Sequence, residues 1–524
     1  MSIAHRLVPI LPSTTLACSL LSALALLFLS LFLISRLSRE GRHPLLVRLQ
    51  QHPLVFGLDN LYQDFRDLHN HNSSNRSLAR HNKHGQTYLS SLLGQSTIHT
   101  IDPSNIHAVT TERFADFEKG AWARTIAKYM GHGILVNDGS AWHASRILLK
   151  PLFKRNRTAD VRMLETHADR LVEFLRSREG GFVYFKRAAQ MVVLDITTEM
   201  LTGKSTLSLA GLLSDAITVD GGGSTNGPVL LDLIDELEPY GNTAIELGPF
   251  SLHIFAFRYR KIMALIRGIQ RFFETAVCEA QLAIQHRGRD EPGSENSNII
   301  EELLAQDMMP HQVQGELQNI FFAAFDTTTA LIANLFDCMG RHPRIVKRIQ
   351  TELALVVGSG MIAETDIARL TYLRASIFET LRLHSPVTYH TRKSKRDTVL
   401  PCGGGLDGKF PIFVRRGTCV TWSTYALNRQ AGIFGEDWMD FRPERWLLDE
   451  GKGISLQSKE EFIPFGSGPR NCLGQQFAML QTSYIAARVL AAFENFQLRD
   501  EDMPFQEAAA VTHWNGLGTW IKFQ

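Results

Sequence analysis

The segment Phe465 to Gly474, FGSGPRNCLG, holds a thiol in a setting suited to metal ligation. A metal-bound thiolate needs backbone N–H groups aimed at its sulfur, because those bonds tune its donor strength. Glycines at 468 and 474 let the chain turn tightly and approach a flat ligand closely. Arg470, two residues before Cys472, offers a cation to an acidic group on such a ligand. Beyond Cys472 a helical pattern begins with Phe477, Leu480, Tyr484 and Ala487. The sulfur therefore sits beside a helix amino end, whose positive pole favours an anion. An incidental cysteine in a glycine-rich loop is the plain alternative, and the specified positions Phe465, Gly468, Arg470, Cys472 and Gly474 weigh against it.

Other residues with chemical potential lie far away in sequence. A long helical pattern is predicted from about Pro310, suited to a helix start, to Gly340 at its end. Its apolar stretch from Ile320 to Leu335 contains Asp326, Thr327 and Thr328. A buried carboxylate is costly unless it serves something, and mid-helix threonines bond to preceding carbonyls and bend the turn. An ordinary Asp-Thr pair on a surface helix is the bland reading. Glu379 and Arg382, on a helix predicted from Thr365 to about Leu383 and stopped by Pro386, share one face at a spacing of three. Such pairs are common on solvated helices, so this one is weak by itself.

The cysteine segment resembles the F-x-x-G-x-R-x-C-x-G haem-binding signature of the cytochrome P-450 superfamily, and further elements follow in that superfamily's order. Ala323-Ala324-Phe325-Asp326-Thr327-Thr328 is similar to its A/G-G-x-D/E-T element, which assigns Asp326 and Thr327 to proton delivery. Glu379 and Arg382 match the E-x-x-R pair, and Phe441 to Trp446 (FRPERW) resembles the segment whose arginine, here Arg445, completes a structural triad behind the haem. Trp142 and Arg146 match the W-x-x-x-R element that contacts haem propionates, as does Arg470. Arg392 stands where a further propionate-binding residue is usual. The resemblance implies Cys472 as the iron ligand and haem b, iron protoporphyrin IX, as cofactor, with Phe465 and Gly474 shaping its bed. It also implies a mainly α single domain with a small β region, rather than the three domains that length alone would suggest.

Within the superfamily the chain looks most like the fungal alkane- and fatty-acid-hydroxylating branch, through Arg396-Asp397-Thr398, Leu400-Pro401, Gly403 to Gly405, Asp407-Gly408 and Leu473 to Ala478. That branch has A-G-R-D-T-T in the long helix, whereas Ala324 and Phe325 replace its Gly and Arg here. The change from Arg to Phe is expected to alter charge near the site and to disfavour simple alkanes. A hydrophobic biosynthetic intermediate is the expected substrate, with terminal hydroxylation of alkanes or fatty acids as the alternative. A haem-thiolate isomerase or dehydratase would need no proton relay, and a haem sensor needs neither relay nor anchor.

The elements around these residues set the frame. From Leu7 to Ile34 there is no charged residue, and Leu16 to Ile34 is dense in Leu, Ala and Phe, enough to cross a bilayer. Arg36, Arg39 and Arg42 follow, so the positive-inside rule places the bulk of the chain in the cytosol. The expected organisation is a short lumenal terminus at 1–14, a transmembrane anchor at 15–34, a basic linker at 35–60 and a catalytic domain at 61–524. The expected location is the endoplasmic reticulum membrane, with one pass and a cytosolic catalytic domain. The sequons at Asn72, Asn75 and Asn156 should then carry no glycan.

With a net charge of +2 and no long basic run, nothing argues for nucleic acid. The six cysteines show neither zinc-knuckle nor C-x-x-C spacing. Gly403 to Lys409 (GGGLDGK) imitates the start of a phosphate loop, but Phe410 replaces the hydroxyl residue and a strand follows, so it reads as a turn. Little chain follows Cys472 and no dinucleotide fingerprint is present, so electrons are expected from a separate membrane-bound NADPH–cytochrome P-450 reductase.

Overall fold

In the structure, a computed structural model, the residues described are 62–64, 66–67, 70–92, 95–153, 157–210, 227–247, 258–287, 298–306, 308–358, 360–405, 407–448, 460–508 and 511–524. The lumenal terminus, the anchor at 15–34 and the linker at 35–60 lie outside them. The helices that matter for the site are α1 (Gly139–Leu152), α2 (Arg157–Arg176), α3 (Phe185–Thr202), α4 (Gly227–Leu247), α5 (Tyr259–Arg287), α6 (Pro310–Gly340), α7 (Glu364–Arg369), α8 (Thr371–Leu383) and α9 (Gln475–Ala492). The strands are β1 (Thr87–Leu92), β2 (Gln95–Thr100), β3 (Phe117–Glu118), β4 (Val183–Tyr184), β5 (Tyr389–Ser394), β6 (Thr398–Gly404), β7 (Phe410–Val414), β8 (Cys419–Ser423), β9 (Phe496–Leu498) and β10 (Trp520–Phe523).

Helix α6 is the axis of the fold. Its start is set by Pro310 at the first helical position and by the Met309 amide, which donates to Gln312 Oε1 at 3.1 Å. From Thr328 to Gly340 every residue is buried. A helix apolar all round belongs inside a large core. It is long and apolar enough to cross a membrane, but here it is packed among α3, α5, α8 and α9. Phe336 meets Phe185 of α3 at 4.4 Å between ring centres, and Phe321 meets Phe273 of α5 at 5.2 Å.

The predicted single helix from Thr365 to Leu383 is two. Leu370, fully buried with ψ near 73°, breaks the pattern between α7 and α8. The amino end of α8 is held by Glu352, whose carboxylate accepts from the Tyr372 and Leu373 amides at 2.7 and 3.0 Å. An anion there meets the positive helix pole.

The small β region forms a five-stranded sheet in the order β1-β2-β8-β5-β3, a three-stranded sheet β4-β10-β9 and the hairpin β6-β7. β5 runs antiparallel to β8 with Arg392 opposite Val420, which fixes that arginine's place on the sheet. The glycine-rich segment after Leu400 is the turn of the β6-β7 hairpin, with Gly403, Gly405 and Gly408 all at positive φ. It is no phosphate loop.

Candidate active site

Cys472 lies between a tight turn, Gly468–Arg470, and the start of α9. Its amide donates to Phe465 O at 2.9 Å, closing the loop on itself. Gly468 has φ near +70°, and a Cβ there would stand 1.9 Å from Thr110 O, so no other residue fits. Gly474 differs: its φ is −81°, and an added Cβ would sit 4.0 Å from Cys472 Sγ. That is an ordinary contact distance, so neither the turn nor the sulfur's surroundings require a glycine here.

Cys472 is exposed although protein crowds it on most sides, and Ala323 is exposed in the middle of the otherwise buried α6. Both surfaces therefore face inward. Burial pushes the Cys472 thiol up, while the Gly474 and Gln475 amides and Arg146 pull it down. The net direction is upward, so the helix end alone does not make the thiolate. A coordinated cation would, because a metal-bound thiol is deprotonated outright.

Behind the loop, Glu379 is enclosed by donors. It accepts from Arg382 Nε and Nη2 at 2.9 and 2.7 Å, from Arg445 Nε at 2.9 Å, from Trp446 Nε1 at 2.8 Å and from the Arg442 amide at 3.0 Å. Arg382 spends its remaining donors on the carbonyls of Asn428, Trp438 and Asp440. Glu379 and Arg382 have no exposure at all. Buried ions are tolerated only when paired and fully hydrogen-bonded, as these are.

A second charged group gathers at the other side of the loop. Arg470 donates to Asp138 Oδ1 at 2.5 Å and to Asn137 O, and its guanidinium lies 5.2 Å from the Trp142 ring centre. Burial holds Lys119 well below the usual lysine range, and the positive charges of Arg470 and Arg392 add to that. Arg392 is pushed down to about 10 by burial, then by Arg470. Asp138 is the carboxylate acting on all three cations. Trp142 Nε1 is buried and donates to nothing among the described residues. A set of cations with too little negative charge, beside an unused indole N–H, is suited to carboxylates on a bound group. Arg146 gives its guanidinium to Asn471 O, at 2.6 Å, and to the Asn471 side chain, so it braces the cysteine loop. Sequence reading missed Lys119 and Asp138; each is a lone residue in a loop, with no spacing to mark it.

On α6, Thr327 Oγ1 donates to Ala323 O at 2.6 Å, a back-bond in the turn that bears the exposed Ala323. Asp326 is raised above the usual carboxylate range, first by burial, and Lys186 opposes this. Phe325 corrects one expectation. It is 1% exposed and stacks on Phe321 at 5.5 Å in the core, so this side chain does not line the surface that Ala323 exposes.

The Cytochrome P-450 family model matches residues 60–515. The cytochrome P-450 monooxygenase himC of Aspergillus japonicus is 30% identical over 493 residues, covering 93% of this chain and 84% of that protein. Cytochrome P-450 52A13 of Debaryomyces hansenii is 32% identical over 434 residues, 81% of this chain and 80% of that protein. The monooxygenase fsdH of Fusarium heterosporum is 29% identical over 457 residues, 84% of this chain and 76% of that protein.

Proposed function

The chain belongs to the cytochrome P-450 family of monooxygenases, and on that premise we propose that it oxidises a hydrophobic small molecule with dioxygen and electrons from NADPH–cytochrome P-450 reductase. The family binds haem, and haem b is the form proposed here. When bound, it would supply dioxygen activation and the insertion of one oxygen atom into a C–H bond, the other leaving as water.

The observation that carries this reading is the pairing of an inward-facing Cys472 with an undercompensated cation cluster. Cys472 would be the sulfur ligand, held by the turn at Gly468 and by Arg146 on Asn471. Phe465 closes that loop through its carbonyl, and the Gly474 amide is aimed at the sulfur. Trp142, Arg392, Arg470 and Lys119 would hold the propionates. Glu379, Arg382 and Arg445 keep the backbone behind the loop rigid and take no part in bond chemistry. Asp326 would hold a proton at its carboxyl and pass it, with Thr327 Oγ1, toward the oxygen-binding side.

The proposed setting is a tailoring step in secondary-metabolite biosynthesis, at the endoplasmic reticulum membrane with the catalytic domain cytosolic. Support comes from the apolar run at 15–34, the arginines after it, and Ala324, whose methyl adds bulk where the alkane-hydroxylating branch has Gly. Phe325, sealed in the core, lends that setting nothing. The alternative is terminal hydroxylation of alkanes or fatty acids, favoured by the similarity to cytochrome P-450 52A13 and by the motifs it rests on. Product analysis with NADPH, reductase and a panel of fatty acids separates them. Little ω-hydroxylation is expected; brisk ω-hydroxylation would move the assignment to the alternative. Turnover without NADPH or reductase would instead mean an isomerase or dehydratase.

A further inference from the structure

Asp232, Asp235 and Glu238 stand three residues apart along α4. At that spacing each acid is next to the following one on the helix surface and turned by about 60° from it, so the row winds from the solvent side inward. Their contact with solvent falls along the row: the Asp232 side chain is 69% exposed and that of Asp235 39%, while Glu238 Oε1 is buried without a hydrogen-bond partner among the described residues. The start of α3 lines the row. Arg187 Nη2 donates to Asp232 Oδ1 at 3.2 Å and its Nη1 to Asp235, and Gln190 Nε2 donates to Asp235 Oδ1 at 3.2 Å. Lys186, beside them, is 4% exposed, with its ammonium 3.7 Å from the Trp514 ring centre. This one buried cation acts on both Glu238 of α4 and Asp326 of α6.

We propose that Asp232, Asp235 and Glu238 form the route by which protons from solvent reach Asp326, with Lys186 positioning the last transfer. The proposal rests on the monooxygenase reading and extends its proton relay to the surface. Two half-buried carboxyl groups around one lysine cannot both ionise cheaply, so they keep a proton between them. Burial first, then the charges of Asp326 and Asp235, push Glu238 up to about 7 against the pull of Lys186. The other ionisable neighbour is Tyr184, whose hydroxyl feels both Glu238 and Asp235. A carboxyl in that range gives and accepts protons readily at neutral pH. In each passage one proton leaves Glu238 for the Asp326 carboxylate, Glu238 is left an anion, and Asp235 restores it from solvent. No electron moves.

The test uses the reconstituted holoenzyme with reductase and the Glu238→Gln variant, since an amide accepts hydrogen bonds but does not relay. About a tenfold fall is expected in the share of NADPH that ends in product, with the difference appearing as hydrogen peroxide. Turnover driven by added hydrogen peroxide, which needs no delivered electrons or protons, should be unchanged. An infrared titration of the resting enzyme, read without turnover, should lose a carboxyl band that titrates near 7. Glu238→Asp should restore part of both. Glu236→Gln, off the row and paired with Lys261 at 2.9 Å, should match wild type.

If Glu238→Gln retains wild-type coupling and the infrared band, the route is wrong. Should that variant not bind haem, Asp235→Asn is read instead, and unchanged coupling there overturns the proposal equally. A wild-type protein lacking the carbon monoxide band of a haem-thiolate would sink the underlying reading, a distinct failure.

Discussion

Two glutamates, one of α8 and one of α4, are held in opposite ways. Glu379, behind the cysteine loop, has every lone pair engaged by guanidinium, indole or amide donors. Glu238 keeps one carboxyl oxygen unpartnered among the described residues and shares a single lysine with the Asp326 carboxyl group. A fully satisfied ionic network fixes geometry, whereas a partly satisfied one leaves a proton free to move. Rigid support and the proposed proton route call for opposite electrostatics, and Glu379 and Glu238 supply one each.

The largest effect that would break this contrast is expected at the triad. Glu379→Ala leaves the buried Arg382 without a carboxylate and Arg445 with only Asp437 at 3.5 Å, and should cost about 3–5 kcal/mol in urea unfolding, with haem content falling in parallel. A loss below about 1 kcal/mol would show the network to be dispensable. Next comes the turn. Gly468→Ala forces a Cβ against Thr110 O in a left-handed conformation and should cost about 2–4 kcal/mol by the same assay.

The other side should respond to pH instead. Glu238 titrates in the fold near 7 against its ordinary 4.5, so the folded chain binds its proton more tightly than the unfolded one. Its contribution to stability is therefore full below 4.5 and lost as pH rises through about 7. Unfolding midpoints at intervals across that window should fall with pH in wild type and fall less steeply in Glu238→Gln; parallel slopes would remove Glu238 from the account. The smallest effect is expected at Phe325. Phe325→Leu should cost about 1 kcal/mol and leave the product pattern unchanged, since its ring stacks on Phe321 within the core. An altered product pattern would return position 325 to the site.

What could be read from the chain alone follows from how far apart the cooperating residues lie. The cysteine loop and the Asp326-Thr327 pair are contiguous, so their spacing carries their chemistry. Residues gathered from separate elements were invisible: Lys119 and Asp138 come from loops, and Lys186 meets Glu238 only because α3 packs on α4. The regular spacing of Asp232, Asp235 and Glu238 was a usable signal, but a row of acids on a helix reads first as a solvated face. Phe325 shows the converse error. Sequence neighbours of a site residue point elsewhere on a helix, about 100° away per residue. The break at Leu370 had no marker, since it uses neither Gly nor Pro. The apolar run at 15–34 was the plainest element of the sequence, and it lies outside the described residues.

The most direct test is the carbon monoxide difference spectrum of the reduced protein, recorded for wild type and for Cys472→Ala at equal haem loading. Wild type should show the red-shifted Soret band that a thiolate ligand gives, and the variant should lose it together with NADPH-driven turnover. The same band and turnover in both proteins would contradict the assignment of Cys472 as the iron's ligand.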